Sequence, residues 1–204
     1  MSRLAILGAG GHGRVVADCA EAVGWKEIAL FDDYAVDQST SPWGLQGTSA
    51  DLLAQLPGFD GIVIGIGANK SRLTWQMRLR DAGAIFPILI HPRAIVSSRA
   101  EVGLGSVVFA GAVVNVGARL AAAVIVNTGA IVDHDCRLGN GVHVSPGANL
   151  AGGVQVGDLS WIGIGATLRQ GVTIGREAIV GAGAVVVRPV DDECVVIGNP
   201  ARPM

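Results

Sequence analysis

The chain has few aromatic residues and few cysteines. Its 204 residues include four Phe, four Trp and one Tyr, against 30 Gly, and only three are Cys. Three widely spaced cysteines suit neither a disulfide framework nor a C-x-x-C metal site, so we expect reduced thiols. A core with so few rings must be filled by aliphatic side chains and alanine.

Charge and long apolar runs are also scarce. The formal net charge is −2, which supplies no basic field for nucleic acid or an anionic membrane surface. No run reaches the roughly 18 apolar residues of a transmembrane helix, and the apolar stretch at the N-terminus is too short for a secretory signal. Since half of the residues are hydrophobic, disorder is also disfavoured. We predict a soluble, cytoplasmic protein that neither binds nucleic acid nor inserts into a membrane.

An aliphatic residue recurs at every sixth position through the second half of the chain. The sixteen positions are Val96, Val102, Val108, Val114, Leu120, Val126, Val132, Leu138, Val144, Leu150, Val156, Ile162, Leu168, Ile174, Val180 and Val186. A small or β-branched residue lies two positions before each of them. This period predicts short parallel strands, three to a coil, stacked as a prism with the aliphatic side chains inside and glycines at or near the corners. Helical bundles and sandwiches would show periods of 3.6 or 2. So narrow an interior leaves no room for rings, which accounts for the composition.

The first ninety residues have a different pattern, in which strands alternate with helices. The predicted strands lie at 4–7, 28–31, 61–66 and 88–90, and the predicted helices at 12–23, around 52–56 and at about 70–82. Such alternation favours a small parallel α/β sheet. We therefore predict an α/β domain at 1–90, an uninterrupted β-prism at 91–187, and a C-terminal tail at 188–204 that folds back.

A glycine-rich turn follows the first strand. It reads Gly8-Ala9-Gly10-Gly11-His12-Gly13, which satisfies G-x-G-x-x-G between a strand and a helix. Asp32 and Asp33 follow about twenty residues later, where an acid can bind ribose hydroxyls. The pattern predicts a nucleotide site, with a purely structural turn as the alternative. An NAD-dependent dehydrogenase is disfavoured, because the segment is only about half of a dinucleotide-binding fold.

One of the four histidines lies between two acids within the repeat. His134 belongs to Val132-Asp133-His134-Asp135-Cys136 and is expected to face outward at a corner. A flanking carboxylate raises the pKa of an imidazole, as a general base acting on an amine or hydroxyl requires; a solvated corner histidine is the alternative. His143 lies nine residues later, on a different face or corner, so we predict no metal site. Cys136 occupies a small inward slot and is not expected to be a nucleophile.

Together these motifs resemble the left-handed β-helix acyltransferases. With Val195-Val196-Ile197-Gly198-Asn199-Pro200-Ala201-Arg202 near the end and Phe31-Asp32-Asp33 near the start, the whole chain is similar to the PglD/NeuD-type sugar acetyltransferases. The resemblance implies a Rossmann-like α/β domain followed by an all-β left-handed parallel β-helix. It also implies a homotrimer with acetyl-CoA in the groove between two prisms and a nucleotide-sugar held by the N-terminal domain.

The implied activity is N-acetylation of a nucleotide-linked 4-amino sugar in bacterial surface-glycan biosynthesis. O-acetylation of sialic acid or a related sugar, and a non-catalytic scaffold that binds a nucleotide-sugar, remain open alternatives. The identity of the sugar and of the nucleotide (uridine, guanosine or deoxythymidine) also stays open, as does the choice of arginines that contact CoA.

The resemblance assigns roles residue by residue. His134 becomes the general base of a direct transfer and Asp135 its acidic neighbour, where bacillosamine-pathway members have Glu. The implied acetyl-CoA contacts are His143, Ile164 and Ala182, the last at a position where the family often has Gly. The implied nucleotide-sugar contacts are Gly10, Gly11, His12, Asp32, Asp33, Gly67 and Asn127.

Overall fold

The computed structural model describes residues 2–34 and 41–204; Met1 and residues 35–40, which fall in the predicted N-terminal domain, lie outside the description. Among the described residues, the N-terminal part forms a four-stranded parallel sheet with three helices. Its elements are β1 (Arg3–Leu7), α1 (Gly11–Val23), β2 (Glu27–Phe31), β3 (Leu45–Gly47), α2 (Ser49–Gln55), a 3-10 turn at Leu56–Gly58, β4 (Gly61–Ile64) and α3 (Asn69–Asp81). The strands lie in the order β3-β2-β1-β4.

The local sequence explains most of these elements. Residues 4–7 of β1 and all of β4 form continuous apolar runs, as expected of parallel strands covered on both faces. Helix α1 ends at Gly24, whose φ of 109° allows its N–H to bond the last carbonyls of the helix. Helix α2 begins with a capping box between Thr48 and Asp51. Strand β3 was not predicted from the sequence, because its three residues are mostly exposed and show no apolar alternation.

The repeat forms a triangular prism of two- and three-residue strands. The first face contains Leu89–Ile90, Val107–Val108, Ile125–Val126, His143–Val144, Trp161–Ile162, Ile179–Val180, Val195–Ile197 and Arg202–Pro203. The second contains Ile95–Val96, Val113–Val114, Ile131–Val132, Asn149–Leu150, Thr167–Leu168 and Val185–Val186. The third contains Glu101–Val102, Arg119–Leu120, Arg137–Leu138, Gln155–Val156 and Thr173–Ile174. The strand predicted at 88–90 therefore forms, but it pairs with the prism and not with the α/β sheet.

The inward positions predicted from the repeat line the interior. All sixteen belong to one hydrophobic cluster, with Val96 and Val102 only partly buried because they lie in the first coil, at the open end. The small or β-branched residues two positions earlier pack beside them, and Cys136 and the two serines of this set, Ser106 and Ser160, are fully buried. Burial raises the pKa of the Cys136 thiol to about 11, so the thiol is protonated at neutral pH.

The three corners follow the faces in chain order. We call the corner from the first to the second face the first corner (145–148 in one coil), that from the second to the third face the second corner (133–136), and that from the third to the first face the third corner (139–142). The third residue after fourteen of the sixteen inward positions is left-handed, the exceptions being Arg99 and Pro189. It is usually glycine, as at Gly147, but Asp135 adopts the same conformation with φ of 59°.

Helix α3 holds the α/β part against the third corner. Asn69, Arg72 and Gln76 are all buried and recur at helical spacing, so they form a polar stripe that faces the prism. Their side chains donate hydrogen bonds of 2.7–2.9 Å to carbonyls of four successive coils, namely those of Leu159, Gly141, Ala123 and Leu104. The guanidinium of Arg72 also donates to the carbonyls of Ile66 and Gly67. The position of the α/β sheet relative to the prism is thereby fixed.

The C-terminal end of the prism departs from the repeat. Ile174 bridges Val190 and Val180 pairs with Val196, so the last coil has sixteen residues where the others have eighteen. The chain then turns, and Arg202–Pro203 pairs antiparallel with Val195–Ile197. Within residues 2–34 and 41–204, no helix is both long and apolar enough to cross a membrane.

Candidate active site

A pocket of about 570 Å³ opens at the carboxyl ends of β1 and β4. Strand β1 lies between β2 and β4, so the order of strands along the chain reverses there, and α/β sheets bind ligands at such a point. The pocket is lined by Leu7, Gly8, Gly10, Gly11, His12, Asp32, Asp33, Tyr34, Gly65, Ile66, Gly67, Ser71 and Trp75. The structure therefore brings together six of the seven residues predicted to contact a nucleotide-sugar.

The three glycines of the fingerprint have separate roles. Gly8 has φ of 111°, which a tight turn needs, and a Cβ on Gly13 would collide with the Gly8 carbonyl where α1 packs against the sheet. No atom lies within 4 Å of a Cβ built on Gly10, Gly11 or Gly67. This open space next to the N-terminus of α1 suits a phosphate group.

The two acids differ in their engagement. Asp32 Oδ2 accepts a hydrogen bond of 2.7 Å from Ala9 N in the glycine turn, and Oδ1 accepts one of 3.0 Å from Tyr34 N. Both carboxylate oxygens of Asp33 accept from Ser49, at 2.7 Å from N and 2.9 Å from Oγ. Asp32 thus ties the end of β2 to the glycine turn, whereas Asp33 anchors the start of α2.

His12 connects the pocket with the prism. Its ring meets Phe109 edge-on, with centroids 5.8 Å apart, and its centroid lies 6.2 Å from that of His143. Burial, and secondarily the charge of Arg72, lowers the pKa of His12 to about 4. His12 is therefore neutral at physiological pH and brings no positive charge to a phosphate.

His143 is held within a polar and aromatic cluster. Its ring stacks on Trp161 at 4.7 Å between centroids, and Asn127 Nδ2 lies 3.2 Å from its Nε2. Burial lowers the pKa of His143 to about 3, with Arg72 and His12 adding to the effect and the Gly67 carbonyl opposing it. Asn127, predicted beside the acceptor, thus lies beside His143.

An apolar groove of about 420 Å³ runs along the first corner below His143. Its lining comprises His143, Ser145, Pro146, Trp161, Gly163, Ile164, Ile179, Val180, Gly181 and Ala182. Trp161 is fixed there by a hydrogen bond of 2.8 Å from Nε1 to Ser145 Oγ. All three residues predicted to contact acetyl-CoA line this one groove. The groove extends over the successive turns at 145–146, 163–164 and 181–182, and its apolar surface suits a pantetheine-like chain.

His134 lies on the second corner, exposed as predicted, with 56% of its side chain accessible. Its Nδ1 is 2.9 Å from Asp135 Oδ2, which leaves Nε2 as the nitrogen available to a substrate. The hydrogen bond to Asp135, and then the charge of Asp133, raises the pKa of His134. Asp133 is fixed in turn, because Asn115 Nδ2 and His134 N both donate to its Oδ1 at 2.7 Å.

The base candidate and the groove occupy different corners of the same prism. His134 follows a second-face strand, whereas Ile164 and Ala182 follow first-face strands. The second face, which separates the two corners, exposes large apolar side chains such as Ile95 and Ile131. Such exposure marks a surface suited to another protein chain.

Several residues of the site were not predicted from the sequence. Arg72 and Asn69 belong to no recognisable motif, although their spacing with Gln76 is that of a buried face. Trp161, Phe109 and Trp75 carry no motif, and only the three-dimensional fold brings them to the pocket or the groove. Among the described residues, no group of three His, Cys, Asp or Glu side chains is placed to hold a metal ion.

Comparison with known proteins identifies both parts of the chain. Residues 3–79 match the model for the PglD N-terminal domain, and residues 153–188 match the model for the bacterial transferase hexapeptide of six repeats. A UDP-N-acetylbacillosamine N-acetyltransferase of Bacillus subtilis is 36% identical over 114 residues, which are 54% of this chain and 52% of that protein. The matched region thus spans about half the length of that relative.

Solved structures match almost the whole chain. The acetyltransferase domain of PglB from Neisseria gonorrhoeae, in complex with acetyl coenzyme A, is 45% identical with a TM-score of 0.95, covering 99% of this chain and 98% of that one. PerB from Caulobacter crescentus, in complex with CoA and GDP-perosamine, is 38% identical with a TM-score of 0.94, covering 100% and 98%. These matches confirm the predicted fold class, a Rossmann-like α/β domain followed by a left-handed parallel β-helix.

Proposed function

The chain belongs to the PglD-type sugar acetyltransferases, and we propose that it transfers the acetyl group of acetyl-CoA to the amino group of a nucleotide-linked 4-amino sugar. One observation carries this proposal. The nucleotide pocket and the apolar groove meet at His12 and His143, in a chain similar over its whole length to structures that hold acetyl coenzyme A or CoA with GDP-perosamine. The surface-glycan role suggested by the family is part of the same proposal.

The pocket supports binding of the nucleotide part of the acceptor. Gly10 and Gly11 leave space at the N-terminus of α1, where the first backbone N–H groups of a helix have no intrahelical partner and favour a diphosphate. Asp32 stands at the end of β2, the place from which acids reach ribose hydroxyls. The sugar would then extend from this pocket toward the prism.

His134 supports the chemical step. Asp135 accepts from Nδ1–H, which leaves the Nε2 lone pair free to take a proton. The acceptor nitrogen attacks the thioester carbon as Nε2 removes its proton, and backbone N–H groups of the prism stabilise the oxyanion. Collapse of the tetrahedral intermediate breaks the carbon–sulfur bond, and the departing thiolate takes the proton. The products are an amide and CoA, without a covalent enzyme intermediate.

The placement of these groups supports the homotrimer that the family resemblance implies. Since His134 and the groove lie on different corners, one chain alone does not offer the base to a thioester in its own groove. Prisms packed side by side through their second faces would set the groove of one chain against the His134 corner of its neighbour. The exposed Ile131 on that face supports such packing.

The test compares His134→Ala with wild type in acetyl-CoA thiol release. Removing a general base should lower kcat by roughly 10²–10⁴-fold. The matched control is His91→Ala, which removes a histidine of the first coil whose Nδ1 accepts from Arg93 N. Near-normal turnover by His134→Ala would refute the mechanism.

A panel of acceptors separates the competing activities. Uridine-, guanosine- and deoxythymidine-linked 4-amino sugars are each offered beside the 4-hydroxy counterpart and free sialic acid. We expect amide products from one amino sugar. Ester products alone would indicate an O-acetyltransferase, and tight nucleotide-sugar binding without thiol release would indicate a scaffold.

A further inference from the structure

Gly152 is unusual for its place in the repeat. It is the second residue after an inward position, and the fifteen equivalent residues all carry side chains: Ser98, Leu104, Ala110, Val116, Ala122, Thr128, His134, Asn140, Pro146, Asp158, Ile164, Gln170, Arg176, Ala182 and Arg188. The φ of Gly152 is outside the left-handed region. The backbone of this turn therefore does not require glycine.

The contact that does require it is with His134, which occupies the same turn position one coil earlier. A Cβ built on Gly152 would lie 2.5 Å from Cε1 and 2.9 Å from Cδ2 of the imidazole, and closer still to Nε2. The two turns are also bonded, since Gly153 N donates to the His134 carbonyl at 2.8 Å. The backbone therefore has little freedom to move apart and relieve such a collision.

Asp135, the hydrogen-bond partner of the ring, also depends on a neighbouring glycine for space. A Cβ on Gly117, in the preceding coil, would lie 2.5 Å from Asp135 Oδ1. Gly117 also has φ of 73°, so its own backbone favours glycine. The His134–Asp135 pair thus lies between glycines of the two neighbouring coils. Gly117 has a backbone conformation that itself favours glycine, whereas Gly152 does not.

We propose that Gly152 is a positioning residue for His134: the missing side chain leaves room for the imidazole against the next coil, which keeps Nδ1 directed at Asp135 and leaves Nε2 for the substrate. The inference deepens the proposed function, in which His134 is the base. Any side chain at 152 would displace the ring and break the Nδ1 contact.

A thermal-stability cycle tests the contact without any assay of activity. Gly152→Ala in wild type should lower the melting temperature by on the order of 3 °C or more, because the ring and the backbone must shift. In a His134→Ala background the same substitution should not lower it, since the colliding ring is gone and alanine restricts the unfolded chain. Equal shifts in both backgrounds would overturn the proposal.

The second readout is the ionisation of His134 itself, followed by NMR of the histidine ring. Loss of the Asp135 contact in Gly152→Ala should bring the pKa of His134 down toward the ordinary imidazole value, and kcat should fall by about tenfold or more. The control is Gly111→Ala in an earlier coil, which strains a left-handed residue but meets other atoms only at 3.8 Å. It should lower stability while leaving the pKa of His134 unchanged.

A wild-type pKa and kcat in Gly152→Ala would contradict the positioning role. Failure of the proposed function is a separate result: if His134→Ala retains turnover, the base is wrong, while the stability cycle still decides whether the ring rests on Gly152.

Discussion

At the scale of single residues, the second corner controls the protonation of His134. The hydrogen bond from Nδ1 to Asp135 and the nearby charge of Asp133 both favour the imidazolium form. A base with a raised pKa is protonated, and therefore inactive, over a wider acidic range. The acidic limb of the pH–rate profile should accordingly lie above the ordinary histidine value.

Asp135→Asn should move that limb to lower pH. The amide keeps nearly the same shape but removes the charge that stabilises imidazolium, so the pKa of His134 falls; the plateau rate should fall too, because the ring is a weaker base. The measurement is kcat/KM against pH. Glu101→Gln, which removes a charge from the third face, is the control and should leave the limb in place. An unmoved limb in Asp135→Asn would contradict this account.

Sequence reasoning at this scale found the outward histidine and its acids but not how they are held. Asp135 is at a left-handed position that glycine usually fills, and Gly152 supports the ring from eighteen residues away. Neither fact is visible in the motif, because both depend on which turns stack. The repeat length does imply that His134 and Gly152 are neighbours, since residues eighteen apart lie on successive coils.

At the scale of elements, the prism depends on the small residue of each hexad. Ala148 is fully buried beside Val144 and Leu150, in an interior where large and small residues alternate. Because protein interiors are close-packed, additional methylene groups there must displace neighbours in the coils above and below. The composition with few rings follows from the same restriction.

Ala148→Leu should reduce the free energy of unfolding by about 1–3 kcal/mol through overpacking. The matched control introduces the same leucine at Gln155, which is exposed on the third face, and should change stability by no more than about 0.5 kcal/mol. Chemical denaturation of both variants gives the comparison. Equal stability of the two would mean that the interior is wider than the structure shows.

The positions of secondary-structure elements were predicted correctly where a single hydrophobic pattern determines them. The unbroken count of six predicted every inward position, and the buried strands β1, β2 and β4 lie within one or two residues of their expected places. The docking of α3 could not be predicted, because its buried face is polar. Arg72 donates to four carbonyls and to the Asn69 side chain, and two of those carbonyls, of Ala123 and Gly141, come from the prism corner, so they are available only in the assembled fold.

At the scale of the whole molecule, the proposed homotrimer would divide the site between neighbouring chains. His134→Ala damages the base and leaves the groove intact, whereas Ala182→Trp fills the groove and leaves the base intact. Each homomeric variant should be inactive. A hybrid trimer containing both chains has one boundary at which an open groove faces an intact His134.

Co-expression of the two variants under different affinity tags should therefore restore roughly one third of wild-type turnover per purified hybrid trimer. Refolding each variant alone and mixing without exchange serves as the control and should restore nothing. If hybrids stay inactive while each retains its fold and its assembly, the base and the groove act within a single chain.

The eighteen-residue coil also bears on how the chain folds. Nearly every strand of the prism pairs with one exactly a coil away, so each pairing closes a loop of the same modest length. No strand must wait for a partner from the far end of the sequence, and order can begin in any coil and spread to its neighbours. The strands of the prism thus pair with partners about one coil away in sequence. We expect the prism to form faster than parallel sheets of equal size whose strands are joined by longer crossovers.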